Sequence, residues 1–202
     1  MNNYGFCIII QWVLKYFSSK IQLIFWQNLL YFVWWFYIYI RICMRIMYID
    51  SQNVHKAIEK LWWIIDWEKF YKYSKSKFDV DEIKFFVWYL QQYQKFYNKL
   101  KNIWYDVVYK YAMILPDWTT KWNVDIDIAI SSLVDFYEND LEKFYLVSSD
   151  WDYNTLVELM SKKWILWRVI IPSRQSASIL LKKAAWSNIQ SIQDLKFQLE
   201  NK

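Results

Sequence analysis

From Arg45 onward the sequence predicts an α/β domain of three layers, a mostly parallel central sheet flanked by helices. Two observations carry that prediction. Short apolar runs alternate with amphipathic helical stretches along the chain, which is the order that strand–helix–strand units produce. Within the runs, segments such as VVY, YLV and RVII are apolar on successive residues, as suits strands covered on both faces.

The elements follow in order. The first strand is expected at RIMYID, 45 to 50, closing on Asp50 before a helix that begins near Asn53. EIKFFVWY (82 to 89), YDVVYKY (105 to 111), KFYLVS (143 to 148) and ILWRVIIP (165 to 172) supply four more, and NIQSI (188 to 192) a weak sixth. Pro172 ends the fifth strand because it has no N–H for the ladder, and Pro116 belongs to a turn. In NVDIDIAISSLVDFYEN, Ile126, Ile130, Leu133, Val134 and Tyr137 recur at helical spacing, predicting one buried stripe. No internal repeat or Pro- or Ser-rich linker interrupts the domain.

A chain of 202 residues suits one domain with an appendage. The seam is expected near residue 44: residues 1 to 43 hold no Asp or Glu and both cysteines, Cys7 and Cys43, whereas residues 44 to 202 carry dense mixed charge. Lys15, Lys20 and Arg41 bring three of the five net positive charges, so the domain is only mildly basic and has no polybasic arm. The stretch 21 to 40 approaches the roughly 20 apolar residues of a membrane span, but Gln22, Gln27 and Asn28 interrupt it. It also lacks the ordered basic, apolar and small-residue regions of an export signal. Residues 1 to 43 are therefore read as an extension upstream of a true start at Met44, with a membrane anchor as the alternative. The domain itself is expected in the cytoplasm, without disulfide or thiol chemistry.

Composition holds an anomaly. At the usual 7% or so, a chain of this length would hold roughly fourteen Gly; it holds one, with fifteen Trp. Trp104, Trp164 and Trp186 each stand where a helix with lysines in its last turns hands over to an extended segment, a position that favours Gly in the left-handed conformation. Trp118 lies in LPDWTT, where Pro-Asp-Gly is the expected turn. One cause would act everywhere: UGA, read as glycine in some bacterial lineages, is read as tryptophan in another translation table. The alternative is a protein with aromatic anchors in its loops.

Carboxylates stand at the ends of three elements. Asp50 closes the first strand, Asp125 opens the long helix, and Asp150 and Asp152 follow the fourth strand in SSDWDY. Strand ends of a parallel sheet converge on one edge, and four acids gathered there would suit a hard cation such as Mg²⁺ or Mn²⁺. Such a site supports phosphodiester hydrolysis without a covalent intermediate. Helix capping would explain Asp125 and Asp152 equally. Asp127 is read as a solvated first-turn acid, and Asn53 as a residue that fixes a ligand or phosphate, or merely caps. The single histidine, His55, cannot form a multi-histidine metal site. Ser148 and Ser149 lack a base for nucleophile chemistry. No Gly-rich phosphate loop appears even with Trp read as Gly, which argues against a nucleotide cofactor.

MYIDSQNVHK, LPDWTTKWNVDIDIAI and VSSDWDYNTLVELM resemble the three signature segments of NYN domain proteins of the LabA-like branch, within the PIN-like nucleases. The family patterns are close to I-D-G-x-N, K-G-N-V-D and S-G-D-G-D-[FY], so Trp122 and Trp151 fall on family glycines. Ser51 and Ser149 depart from frequent glycines, and Ser131 stands where some relatives carry another acid. The resemblance spans about residues 45 to 200. It implies a PIN-like, Rossmann-like fold, a Mg²⁺ or Mn²⁺ site made by Asp50, Asp125, Asp150 and Asp152, and RNA as substrate.

Asn53, Lys121, Ser148 and Arg174 are the substrate-binding candidates. Lys56, Arg168, Lys182 and Lys183 are further phosphate contacts or ordinary solvated cations. The leading functional expectation is a metal-dependent ribonuclease. A silent RNA- or protein-binding module with the same fold is the second. A phosphatase of the haloacid dehalogenase type ranks last, since Asp50 is followed by Ser51 and Gln52 rather than by the Asp-x-Asp such enzymes need.

Overall fold

The computed structural model describes residues 43–111, 113–114, 120–121 and 124–200, with the side chains of 113, 114, 120 and 121 left aside. Residues from Cys43 onward form one compact unit. The expectations for the preceding extension and for Trp118, Trp122 and Pro116 lie outside the described residues.

Six strands make the main sheet: β1 (Met44–Asp50), β2 (Glu82–Tyr89), β3 (Asp106–Tyr111), β6 (Leu141–Val147), β7 (Leu166–Ile171) and β8 (Ile189–Ser191). They are the six that the sequence predicts. Their order is β3-β2-β1-β6-β7-β8, with every pairing parallel. The chain winds outward from β1 through β2 to β3, then resumes beside β1 at β6 and winds the other way. Its direction therefore reverses between β1 and β6, where such sheets open a ligand crevice at the strands' carboxyl ends. A separate antiparallel pair, β4 (Met113–Ile114) and β5 (Thr120–Lys121), precedes the long helix.

Successive residues of β1 serve opposite faces. Met47 and Ile49 enter one core with α1 (Ser51–Glu59), α2 (Trp67–Phe78), α3 (Gln94–Asn102) and the last short helix, α7 (Lys196–Leu199). Ile46 and Tyr48 enter the other with α4 (Asp125–Glu138), α5 (Asn154–Lys162) and α6 (Ile179–Ala185). Both faces are covered, which is why the strands read as unbroken apolar runs. Among the described residues no helix is long and apolar enough to cross a membrane.

The long helix corrects one expectation. Ile126, Ile130 and Tyr137 are 63%, 56% and 70% exposed, and Val134 is exposed as well, so four of the five predicted stripe residues face outward, while Leu133 packs against the core. The buried face carries Ile128, Ser132 and Asp135. Asp135 accepts hydrogen bonds from Tyr48 Oη and Lys84 Nζ, each at 2.7 Å, and from Asn139 Nδ2 at 3.0 Å. Burial alone would raise its pKa, but these donors together hold the carboxyl below its ordinary range. A buried charge with its partners orients the helix, because turning Asp135 outward would strand Lys84 beneath it. Hydrophobic periodicity registers only apolar residues and picks the wrong face.

Helix ends hold the composition anomaly. Trp62, Trp104, Trp164 and Trp186 have φ of 59°, 83°, 62° and 50°, and each is more than 80% exposed. After α3, Trp104 N–H bonds Lys101 O while Tyr105 N–H reaches back to Leu100 O; after α5, Trp164 and Ile165 bond Ser161 O and Met160 O in the same way. These are Schellman caps, whose left-handed residue is ordinarily Gly. Trp186 has ψ −121°, a mirror-image extended conformation that a Cβ disfavours. Asp79 and Asp140 also have positive φ, but Asp tolerates it far better than a bulky aromatic.

Candidate metal centre

The acids meet at the reversal point. Asp50 is the last residue of β1 and caps α1, its Oδ1 accepting from Asn53 N–H at 3.0 Å. Asp150 follows β6 after two serines and caps a 3-10 turn, Trp151–Tyr153, accepting from Asp152 N–H at 3.2 Å. Asp125 is the first residue of α4. One carboxylate oxygen from each of Asp125, Asp150 and Asp152 lies within 4.8 Å of the others. Capping and clustering thus hold together for Asp150.

Asp50 joins this cluster from below. It is only 3% exposed, and a buried tyrosine connects it to the rest. Tyr153 Oη lies 2.7 Å from Asp125 Oδ1 and 3.3 Å from Asp50 Oδ2. Burial pushes the Asp50 carboxyl up to about 6, with the negative charges of Asp125 and Asp150 adding to it and the Asn53 and Tyr153 hydrogen bonds opposing. Burial is thus a larger cause than repulsion among the acids. Tyr153 is itself pushed far above the ordinary tyrosine range, first by burial and then by the Asp50 charge, so at neutral pH it is a neutral donor between two acids.

The substrate-binding candidates have varied fates. Ser148 is fully buried; its Oγ lies 3.4 Å from Asp50 Oδ2 and accepts from Asp150 N–H at 3.2 Å. The hydroxyl thus spaces two acids from behind and has no surface for substrate. Asn53 Oδ1 accepts from both Ser149 N–H at 2.9 Å and Ser149 Oγ at 2.7 Å, lacing the start of α1 to the turn after β6. Arg174 follows β7 on the carboxyl edge, but its guanidinium is paired with Asp194 at 3.1 Å. Lys121 lies in β5, and its side chain is outside the description. Arg168 sits inside β7 opposite Tyr145, away from the edge. Lys182 donates to Arg174 O, Lys56 and Lys183 are exposed, and Asp127 is ion-paired with Lys110 rather than simply solvated.

Trp151, between the two acids, is 57% exposed and occupies a right-handed 3-10 turn. The turn does not require positive φ, so a tight fold is available to any residue here. What a small residue would change is the space over the carboxylates. Tyr153 was not singled out as functional from the sequence: it follows Asp152 directly, but only the 3-10 turn rotates its hydroxyl back beneath the acids.

Carboxylate oxygens alone, with neither His nor Cys, suit a hard divalent cation. The NYN domain family profile matches residues 45–191. Among solved structures, a protein of unknown function from Vibrio parahaemolyticus is similar, with a TM-score of 0.64 and 20% identity over 78% of this chain and 96% of that one; at that identity the likeness speaks for the fold. No curated protein matches the chain.

Proposed function

Because the chain belongs to the NYN domain family, we propose that it is a metal-dependent ribonuclease. The observation that carries this reading is the three-carboxylate cluster of Asp125, Asp150 and Asp152, set at the reversal point of the sheet with Asp50 beneath it. Asp125, Asp150 and Asp152 would hold Mg²⁺ or Mn²⁺, with Asp50 behind them. A cation so held would polarise a phosphodiester and lower the pKa of an attacking water. The chain's own residues do the rest. Tyr153 fixes Asp125 and Asp50, Ser148 spaces Asp50 from Asp150, and Asn53 locks the two loops that carry them, so the acids need not reorganise when substrate arrives. The LabA-like signature segments favour this branch of the family and, with it, RNA as substrate; the site of action proposed is the cytoplasm.

The test compares wild type with Asp150→Asn. Asn still caps the turn about as well, but one negative charge is gone. Mg²⁺- or Mn²⁺-dependent cleavage of single-stranded RNA is expected to collapse, while melting in EDTA stays equal or rises, because like-charge repulsion is relieved. Equal cleavage by both proteins would instead favour a silent binding module of the same fold.

We further infer that many Trp positions are glycines encoded by UGA. Support comes from four exposed Trp at positive φ among the described residues, including Trp62, which sequence context did not single out. The mass of a peptide spanning Trp104 from the native organism, or its codon, decides the matter.

A further inference from the structure

Beside the acids lies a cavity of about 650 Å³ that begins one residue past Asp50, where Ser51 and Gln52 form part of its wall. It continues over the carboxyl end of β2 toward α3. Aromatic rings, among them Trp67, Phe85, Tyr93, Phe96 and Tyr97, share its walls with aliphatic side chains. Trp67 and Phe85 are locked edge to face, ring centroids 4.8 Å apart, and Tyr97 donates its hydroxyl to Trp88 O at 2.6 Å. The inner wall is therefore rigid. Tyr93 and Phe96 at the outer wall are 51% and 37% exposed, leaving large ring area in contact with solvent at a concave surface.

We propose that this cavity takes an unpaired nucleobase of the RNA strand whose backbone lies at the acid cluster. The inference rests on the nuclease reading for its direction, since a strand with a phosphate at Asp150 can send a neighbouring base past Ser51. Rigid aromatic walls suit such an occupant, because every base offers a flat face for stacking and unpaired bases are what proteins read in single-stranded RNA. The volume falls in the range of small-ligand pockets and admits more than one base. Gln52, with donor and acceptor on one amide, stands at the acid-side wall and can meet a base edge.

The test uses the full chain and two fluorescein-labelled hexanucleotides, one of oligouridylate and one with abasic ribose throughout. Binding is followed by anisotropy in Ca²⁺, with intact oligomer verified on a gel. Wild type is expected to bind the oligouridylate about fivefold or more tightly than the abasic strand, the lower end of what stacking of one base is worth. The double variant Tyr93→Ala/Phe96→Ala should lose that preference while its abasic affinity stays unchanged; because Phe96 also packs on Phe85 and Tyr97, its melting temperature is expected to fall somewhat, and both proteins are compared well below it. Equal affinity for the two oligomers in wild type, or a preference that survives the double variant, overturns the cavity's role. Mn²⁺-dependent cleavage, assayed separately, tells the two readings apart. Base-dependent binding with no cleavage keeps the pocket and sinks the nuclease; cleavage with base-indifferent binding does the reverse. Binding of neither oligomer removes the pocket outright.

Discussion

Tyr153 places its hydroxyl 2.7 Å from Asp125 Oδ1 while its ring is buried to 1% exposure, so the acid at the head of α4 is held from inside the protein. Replacing Tyr153 by Phe keeps the ring and removes the donor. The apo domain should lose about 1.5–3 kcal/mol, the range for a hydrogen bond to a charged group. Turnover should fall with little change in KM, because the acids lose their alignment and the substrate's own contacts remain. Urea melts in EDTA and steady-state cleavage together check this; unchanged kcat would make Tyr153 a packing residue only.

Asp50 predicts a pH dependence. Its pKa rises from 3.8 to about 6 on folding. Below about pH 4 the group is protonated in both states and contributes no difference. Between 4 and 6 the unfolded chain releases its proton first, the folded state binds more protons, and stability falls as pH rises. Above 6 the full cost of the buried charge remains, of order 2–3 kcal/mol at about 1.4 kcal/mol for each pKa unit. Asp50→Asn still accepts from Asn53 N–H and cannot titrate. In EDTA its stability relative to wild type should therefore climb by about that amount from pH 4 to pH 7, and a constant difference would mean Asp50 is solvated.

Asn53 and Ser149 form a pair suited to a double-mutant cycle. Asn53→Ala removes the acceptor of two hydrogen bonds and leaves a partly buried N–H unmet, so a loss of about 1–3 kcal/mol is expected. Ser149→Ala removes only one of those bonds. The coupling should reach about 0.5 kcal/mol or more. Additive losses would show that the two loops are not tied through this contact.

The left-handed Trp positions give a stability test independent of any codon. Gly at 62, 104, 164 or 186 relieves a Cβ clash worth about 1–2 kcal/mol and costs part of that in chain entropy. Each change should leave the protein more stable by about 0.5–1 kcal/mol. Trp167→Gly, the second residue of β7 with its ring under Lys143, should instead destabilise. If all five behave alike, the caps do not explain the Trp residues.

Much of the architecture was written locally. Five of the six sheet strands contain a run of apolar residues a few positions long, so the pattern that predicts them needs no knowledge of partners; β8, Ile189–Ser191, is the weak one. The helix–strand junctions at Trp104, Trp164 and Trp186 were also legible, because a cap is a local conformation that asks for Gly whatever surrounds it. Asp50, Asp125, Asp150 and Asp152 could be named as candidates for the same reason: each ends or begins an element.

What the sequence left undecided depends on contacts between distant segments. The inward face of α4 is set by Lys84 and Tyr48 meeting Asp135, 51 and 87 residues away, so an apolar stripe alone misplaces it. Tyr153 and Ser148 become part of the site only because the turn after β6 folds beneath Asp50, 103 and 98 residues earlier in the chain. Arg174, on the predicted edge, is drawn to Asp194 by a nearer opposite charge. Local sequence determined which residues end each strand. Which of them share a hydroxyl, a proton or a cavity was decided by the order β2-β1-β6, because only strand pairing brings segments a hundred residues apart within the few ångströms over which hydrogen bonds act.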